Sequence, residues 1–281
     1  MSGRLSEVEA RIGTVHKLAA VIAAMRGIAA ARAREAQGQL AGIRTYAATI
    51  GTAIAQSLAL LPDRAPAPAP NGTGRRAVVL FAAEQGFAGG FSARVFDAAA
   101  PLLAAPHRLL LAGDRGLLVA DERGLSVDWS VPMISHPGQA GALAARITEA
   151  IYARLAAGEA TAVTLVHAAP DGPVGNIVTR TLVPFDYARF PAPPHAVAPR
   201  ITLAPDALLA RLAEEYVFAE IAEAVMLSFA AENEARMRAM IAAHDNVSET
   251  LSDLIGQSRR LRQEEITDEI TELATASLPL R

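Results

Sequence analysis

Mostly apolar residues near the C-terminus recur at alternating steps of three and four positions, the spacing of a coiled-coil seam. The repeat runs through Met237, Met240, His244, Val247, Leu251, Leu254, Ser258 and Leu261. From Asp206 to about Ala276 the chain has no proline and one glycine, Gly256, so the pattern predicts a single unbroken helix. At 1.5 Å per residue this helix is roughly 100 Å long. A helix of that length extends beyond a compact domain, which favours a mechanical or scaffolding role.

A second long helix is predicted at the N-terminus, where Ser2 to about Leu60 contains no proline. Its near-heptad positions are Leu5, Val8, Ile12, Val15, Ala19, Ile22, Met25 and Ala29, continued by Leu40, Ile43, Ala47, Ile50 and Ile54. Six glycines in this segment each weaken the helix by up to about 1 kcal/mol relative to alanine. A partner helix must compensate, and the economical arrangement is an antiparallel coiled coil of the first and last segments.

The middle of the chain has a different pattern. Short apolar runs bounded by glycine or proline indicate buried strands at 77–81, 109–112 and 162–166, with 176–183 as a further candidate. Helices are predicted between them at 92–103 and 140–157, so strand and helix alternate as in a small parallel, Rossmann-like sheet.

The predicted fold class is therefore α/β, with a long antiparallel coiled coil of the N- and C-terminal helices and a small Rossmann-like middle domain. Two proline-rich segments separate the three parts. The predicted boundaries are 1–60 for the N-terminal coiled-coil helix, 61–75 for a linker, 76–190 for the α/β domain, 191–205 for a second linker and 206–281 for the C-terminal helix.

Composition narrows the classes of function. The 281 residues carry a net charge of −3, which argues against a general nucleic-acid surface. The absence of cysteine excludes disulfides, thiol catalysis and cysteine metal sites. No secretory signal is visible at the N-terminus, and no run of about 18 uninterrupted apolar residues occurs, so we expect a protein that is soluble or at most peripheral to a membrane.

The sequence offers little that points to chemistry. The turn 86–90 is rich in glycine and could cradle a phosphate, but it lacks the GxGxxG spacing and no GKS or GKT follows. A tight turn is the favoured interpretation there, and 113–116 is a second, weaker candidate for such a turn. The six histidines lack metal-ligand spacing, and no nucleophile elbow is present. We therefore predict no catalytic residues, no cofactor and no metal site.

A polar, basic band interrupts the seam at 259–267, and the apolar positions Ile266, Ile270 and Leu273 then resume on a shifted face. The simplest interpretation is a solvated helix surface. The band lies at a level along the helix where a partner helix should pack, and this position favours a contact surface instead. The forked guanidinium groups of its arginines suit partner loops that carry carboxylates.

Residues at both ends and in the middle resemble the gamma subunit of F-type ATP synthase, the central stalk of a rotary motor. The C-terminal signature of that family runs approximately ARMxAMxxAxxNA, then NRxRQxxIT and an E-L-x-E-I-like ending. The matching segments here are 235–240 with Asn246, 260–263 with 266–267, and 269–273. Segment 24–32 resembles AMKMVAAAK, and 83–92 is similar to SDRGLCGGFN.

The resemblance implies a non-catalytic rotor subunit. Its implied partners are the alpha and beta subunits of the catalytic head, an epsilon subunit and a membrane ring of c subunits, and it implies no nucleic acid. The implied location is peripheral, on the cytoplasmic face of the cell membrane. By resemblance, the residues that touch loops of the beta subunits are Arg260, Arg262, Gln263 and Thr267.

Several interpretations stay open. Departures from the family pattern, such as Arg259 in place of asparagine and Glu84-Gln85 in place of Asp-Arg, allow either the housekeeping subunit or a divergent second copy of sodium type. A structural coiled-coil adaptor with an α/β domain is an alternative function, and co-purification with alpha and beta subunits distinguishes it. A nucleotide-dependent enzyme that uses the turn at Gly86 is a third possibility, which a ligand titration addresses.

Overall fold

The computed structural model describes residues 2–61, 75–170, 175–191 and 199–276. Within these ranges the chain forms five α-helices, five β-strands and two short 3-10 turns, the turns at Pro137–Gln139 and Tyr187–Arg189. In chain order the helices and strands are α1 (Ser2–Leu58), β1 (Arg76–Phe81), α2 (Phe91–Leu103), β2 (His107–Ala112), α3 (Asp114–Glu122), β3 (Trp129–Val131), α4 (Ala140–Ala156), β4 (Ala162–Ala169), β5 (Asn176–Val183) and α5 (Pro205–Ala276). Most of the two predicted linkers lies outside the described residues.

Internal contacts divide the chain into two units. The first, called here the coil unit, consists of the described residues before Ala29 and after Arg236. The second, the sheet unit, is Ala29–Arg236. Both α1 and α5 contribute one segment to each unit, so the predicted fold class of a terminal two-helix coil with an α/β domain is confirmed.

The coil unit consists of two helix segments with one apolar stripe each. Positions of the predicted stripes are buried or half-buried, while their neighbours are mostly exposed; Val8, Ile22, Met240 and Leu254 are the most buried. The guanidinium of Arg262 reaches the carboxylate of Glu9 at 2.7 Å, which places the start of α1 beside the last part of α5. This is the antiparallel arrangement predicted from the two stripes.

The sheet unit contains a five-stranded sheet in the order β3-β2-β1-β4-β5. The first four strands are parallel, but β5 runs antiparallel to β4. The expectation of a parallel sheet therefore fails at β5. The physical reason is the short connection after β4, since a parallel neighbour needs a crossover of a dozen residues or more.

Two elements of the sheet unit differ from the sequence prediction. Strand β3 has three residues, too few to produce a recognisable apolar run. A glycine turn was predicted at 113–116 and Gly113 does join β2 to a helix, but that helix, α3, which begins at Asp114, was not predicted. Gly113 has a φ of 105°, and a Cβ there would lie 2.4 Å from the carbonyl oxygen of Ala82, so only glycine fits this close approach.

Both faces of the sheet are buried. One face packs on α4 and on segments of α1 and α5, and it includes Val79 and Phe81 of β1. The other face packs on α2 and α3, and it includes Val78 and Leu80. Burial on both sides explains why these strands are continuous apolar runs without alternation.

Within the sheet unit, polar side chains also join α1 to α5, and the partner on α5 moves towards its N-terminus as α1 proceeds. The three bonds are Gln37 Nε2 to Glu234 Oε1 at 3.0 Å, Arg44 Nε to Glu223 Oε1 at 2.8 Å, and Tyr46 Oη to Glu215 Oε2 at 2.7 Å. The two segments are therefore antiparallel in this unit too.

Candidate functional site

The four residues predicted to contact a partner lie together near the end of α5, and all of them are exposed: Arg260, Arg262, Gln263 and Thr267. Arg262 is held by Glu9, an ion pair in which both side chains remain open to solvent, 63% and 47% exposed. The hydroxyl of Thr267 donates to the carbonyl of Gln263 at 2.8 Å, within the helix itself. Arg262 is thus bonded to the neighbouring helix while most of its side chain remains exposed to solvent.

The seven predicted seam residues occupy the sheltered side of α5 as far as the polar band. Met240 and Leu254 are buried, and the remaining members, Met237, His244, Val247, Leu251 and Leu261, are partly buried. Leu261 and Leu5 line one small recess together with polar residues, at the same end as the Arg262–Glu9 pair. The seam therefore approaches its end where the polar band begins.

From Ile266 onward, α5 carries apolar side chains that its own unit does not cover. Ile266, Ile270 and Leu273 are exposed. The exposed fraction rises along this part of the helix, from 50% at Ile266 to 61% at Ile270 and 72% at Leu273. Large apolar side chains in such a position are typical of surfaces that contact another protein.

A similar set lies on α1 in the coil unit, where Leu18, Val21 and Ile28 are each about half exposed. These residues lie away from the stripe that contains Val15, Ala19 and Ile22. An alanine-rich window of this helix is also long and apolar enough to cross a membrane by length and composition alone, with a mean hydropathy of 1.3. Such a surface can be covered by protein or by lipid.

A second site, in the sheet unit, joins α5 to the turn after β1. The carboxylate of Glu232 accepts hydrogen bonds from the backbone N–H groups of Glu84 at 3.2 Å and Gln85 at 3.3 Å. The guanidinium of Arg236 donates to the carbonyls of Gly86 at 3.1 Å and Gln85 at 3.2 Å. Arg236 also pairs with Glu232 itself, so one ion pair serves both the donors and the acceptors of the turn.

This ion pair is enclosed. Glu232 is 3% exposed and Arg236 is 5% exposed, and Asn233 between them accepts a 3.0 Å bond from Arg236. Burial raises the pKa of the Glu232 carboxyl above its usual range, and the Arg236 guanidinium and the two backbone N–H groups oppose that shift. The groups that face the two carboxylate oxygens are all donors, which suits the ionised form.

The turn is held from its other side as well. The carboxylate of Glu84 accepts bonds from the backbone N–H of Met133 at 2.7 Å and of Asp114 at 3.2 Å. The turn thus links α5 with the start of α3 and the end of β3. Sequence spacing does not predict these contacts, because 148 positions separate Glu84 from Glu232. The only local signal is the four-residue step from Glu232 to Arg236, which is also common on exposed helices.

The glycine turn also bears on the nucleotide hypothesis. In sheets of this order, ligands bind beyond the carboxyl ends of the strands where the order reverses, here between β1 and β4. The N–H groups of the turn after β1 bind a carboxylate of this same chain instead. Among the residues that the structure describes, no group of three or more His, Asp or Glu side chains is placed to hold a metal ion.

Comparison with known proteins identifies the family. A family model described as ATP synthase matches residues 4–278. The ATP synthase gamma chain of Frankia casuarinae is 29% identical over 97% of this chain and 96% of its own length. That of Anaeromyxobacter dehalogenans is 28% identical over 97% and 98%.

Solved structures agree on the fold. A chain of the Euglena gracilis mitochondrial ATP synthase, solved with its OSCP, F1 and c-ring, has a TM-score of 0.68 at 11% identity, covering all of this chain and 98% of that one. A chain from the central stalk and c-ring of the Tetrahymena thermophila enzyme has a TM-score of 0.58 at 17% identity, covering 79% and 99%. The match of the family model along nearly the whole sequence shows that the chain belongs to the ATP synthase gamma-chain family.

Proposed function

We propose that this chain is the central-stalk, or rotor, subunit of a rotary ATP synthase. In this role it couples ion flow through a membrane ring to ATP synthesis or hydrolysis in a head of alpha and beta subunits. The observation that carries the proposal is the family match from residue 4 to residue 278, because it includes both helices of the coil and the sheet unit between them.

The coil unit has the physical properties that the role requires. Two paired helices resist twisting and bending better than one, and the pairing is fixed by a mostly apolar seam. The surfaces left open, with Leu18, Val21 and Ile28 on α1 and Ile270 and Leu273 on α5, are apolar and can be covered by a surrounding ring of subunits. We assign the apolar surface of α1 to protein contact and not to lipid, because the opposite stripe of the same helix is packed against α5.

The polar band supplies the specific contacts. We assign Arg260, Arg262, Gln263 and Thr267 to loops of the catalytic beta subunits. Arg262 supports this best, because its exposed guanidinium is oriented by Glu9 and an exposed ion pair is weak enough to exchange for a partner carboxylate.

The remaining partners follow from the same assignment. The sheet unit and the adjoining part of the coil contact the c-subunit ring and an epsilon subunit, so the chain is peripheral to the cell membrane on its cytoplasmic face. Catalysis is assigned to the other subunits. The buried carboxylates Glu220 and Glu232 are both engaged by arginines, and this arrangement serves packing better than proton transfer.

Reconstitution tests the proposal. The purified chain should show no ATP hydrolysis alone, whereas adding it to alpha and beta subunits, epsilon and the membrane ring should give hydrolysis coupled to ion pumping. Turnover by the isolated chain would contradict the non-catalytic assignment. Full coupling in a complex that lacks the chain would contradict the rotor assignment. Failure to co-purify with alpha and beta subunits would favour the adaptor alternative.

A further inference from the structure

The turn after β1 has the features of an anion site, and α5 fills it. Its backbone N–H groups at Glu84 and Gln85 each donate to a different oxygen of the same carboxylate, beyond the carboxyl end of a central parallel strand. Backbone N–H groups in this location commonly bind phosphate in α/β domains. Here both donate to the carboxylate of Glu232, and the carbonyls of the same turn accept from Arg236.

We propose that Glu232 is the resident ligand of this turn, an internal carboxylate in the place of a bound anion, and that with Arg236 it fixes the α/β domain to α5. The mechanical role of this connection rests on the proposed function: in a rotor, it makes the α/β domain rotate together with α5. Glu232 and Arg236 are thus positioning residues, and they touch no reacting group.

Burial explains why an ion pair can do this when surface pairs cannot. An exposed pair exchanges readily with water, whereas Glu232 and Arg236 are enclosed and each is bonded both to the other and to the turn. Removing either partner leaves the other buried without its counter-charge, which is strongly unfavourable. Glu84 then extends the connection to Met133 and Asp114, so the turn does not bend alone when α5 is loaded.

Removal of the carboxylate and its replacement from solution test the assignment on the isolated full chain. Glu232→Ala removes one methylene and the carboxylate, which acetate restores almost atom for atom. Hydrogen exchange at the amides of Glu84 and Gln85 should become about tenfold faster or more, as expected for loss of a hydrogen bond to a charged group. Acetate should restore the slow exchange, whereas acetamide, which has the same shape and no charge, should not, nor should chloride at equal ionic strength.

Two further variants make the result decisive. Asp97→Ala removes a carboxylate from an exposed pair with Arg123 in the same unit and should leave both amides unchanged, with or without acetate. Glu232→Gln fills the space, so it should be partly protected and should not respond to acetate; it also serves if Glu232→Ala does not fold. Unchanged exchange in both Glu232 variants, or equal rescue by acetate and acetamide, would overturn the proposal.

The assembled complex tests the consequence for coupling. With Glu232→Ala, the number of ions pumped per ATP hydrolysed should fall at least severalfold and recover in acetate, while Asp97→Ala should match the parent. Normal coupling in Glu232→Ala, together with acetate-sensitive exchange, would keep the ligand assignment and refute its role in transmission. Loss of coupling in every preparation, the parent included, would instead count against the proposed function.

Discussion

Leu254→Ala is the most direct test of the seam, because the chain offers a matched control on the same helix. Leu254 is 7% exposed and sits in the seam of the coil unit, whereas Leu273 is 72% exposed near the end of α5. Both changes remove the same atoms and bring the same gain in helix propensity. The difference between the two variants therefore reports burial alone.

The magnitude follows from the packing. Replacing a buried leucine by alanine costs about 2–5 kcal/mol, depending on how far the site collapses. A two-helix seam is thin and can collapse more easily than a domain core, so we expect the lower part of that range, about 2–3 kcal/mol, for Leu254→Ala. For Leu273→Ala we expect a change within about 0.5 kcal/mol in either direction.

Urea unfolding followed by circular dichroism at the helix band measures the free energies, and hydrogen exchange locates the change. Amides of the coil unit should lose protection in Leu254→Ala, while amides of the sheet's central strands should keep theirs. Equal destabilisation by the two variants, or loss of protection confined to the sheet unit, would refute the assignment of Leu254 to a seam that holds the coil together.

Three further predictions concern other parts of the chain. Arg262→Ala should change the free energy of unfolding by at most about 1 kcal/mol, because the ion pair of Arg262 with Glu9 is exposed. The same change should lower the turnover of the assembled complex. A large loss of helicity in the isolated variant would contradict this prediction. Gly27→Ala should stabilise the chain by up to about 1 kcal/mol in thermal melts, because nothing lies within 4 Å of the added Cβ. Gly113→Ala should destabilise the chain, because a carbonyl oxygen lies 2.4 Å from the added Cβ. A Gly113→Ala variant that is more stable than Gly27→Ala would contradict this geometry. Burial lowers the pKa of His167, so as the pH falls below about 6.5 the unfolded chain takes up a proton on this histidine before the folded chain does. The free energy of unfolding should therefore decrease from that pH towards the lower folded-state pKa. His167→Gln should remove this part of the pH dependence, and identical pH profiles for parent and variant would refute the prediction.

The long helices were predictable because one physical cause dominates them. A seam repeats every three or four residues whatever the rest of the chain does, so Val8, Ile22 and Leu254 could be placed on it from spacing alone. The strands at 77–81, 109–112 and 162–166 were predictable for a related reason, since burial on both faces leaves a continuous apolar run.

The errors occur where a local pattern has two explanations. The turn at Gly113 was predicted but the helix after it was not, and the glycine is required because α3 starts against the carbonyl of Ala82. Strand β5 could be recognised as a strand candidate from its sequence, but its direction depends on the length of the connection before it. The role of the Glu232–Arg236 pair cannot be predicted from residue spacing, because the pair binds a turn that is far away in the sequence.

Some residues of the coil unit are not explained by the packing of the chain itself, and these residues are informative. Gly13 and Gly27 lie inside α1 with open space around them, so internal crowding does not require glycine at either position. Leu18 and Val21 on the same helix are exposed although leucine and valine stabilise most when buried. Each feature costs the isolated chain stability and gains it nothing. A surrounding protein surface accounts for both, because it approaches closely at a glycine and covers an apolar side chain. The positions that weaken the isolated chain thus support the rotor proposal independently of the family match.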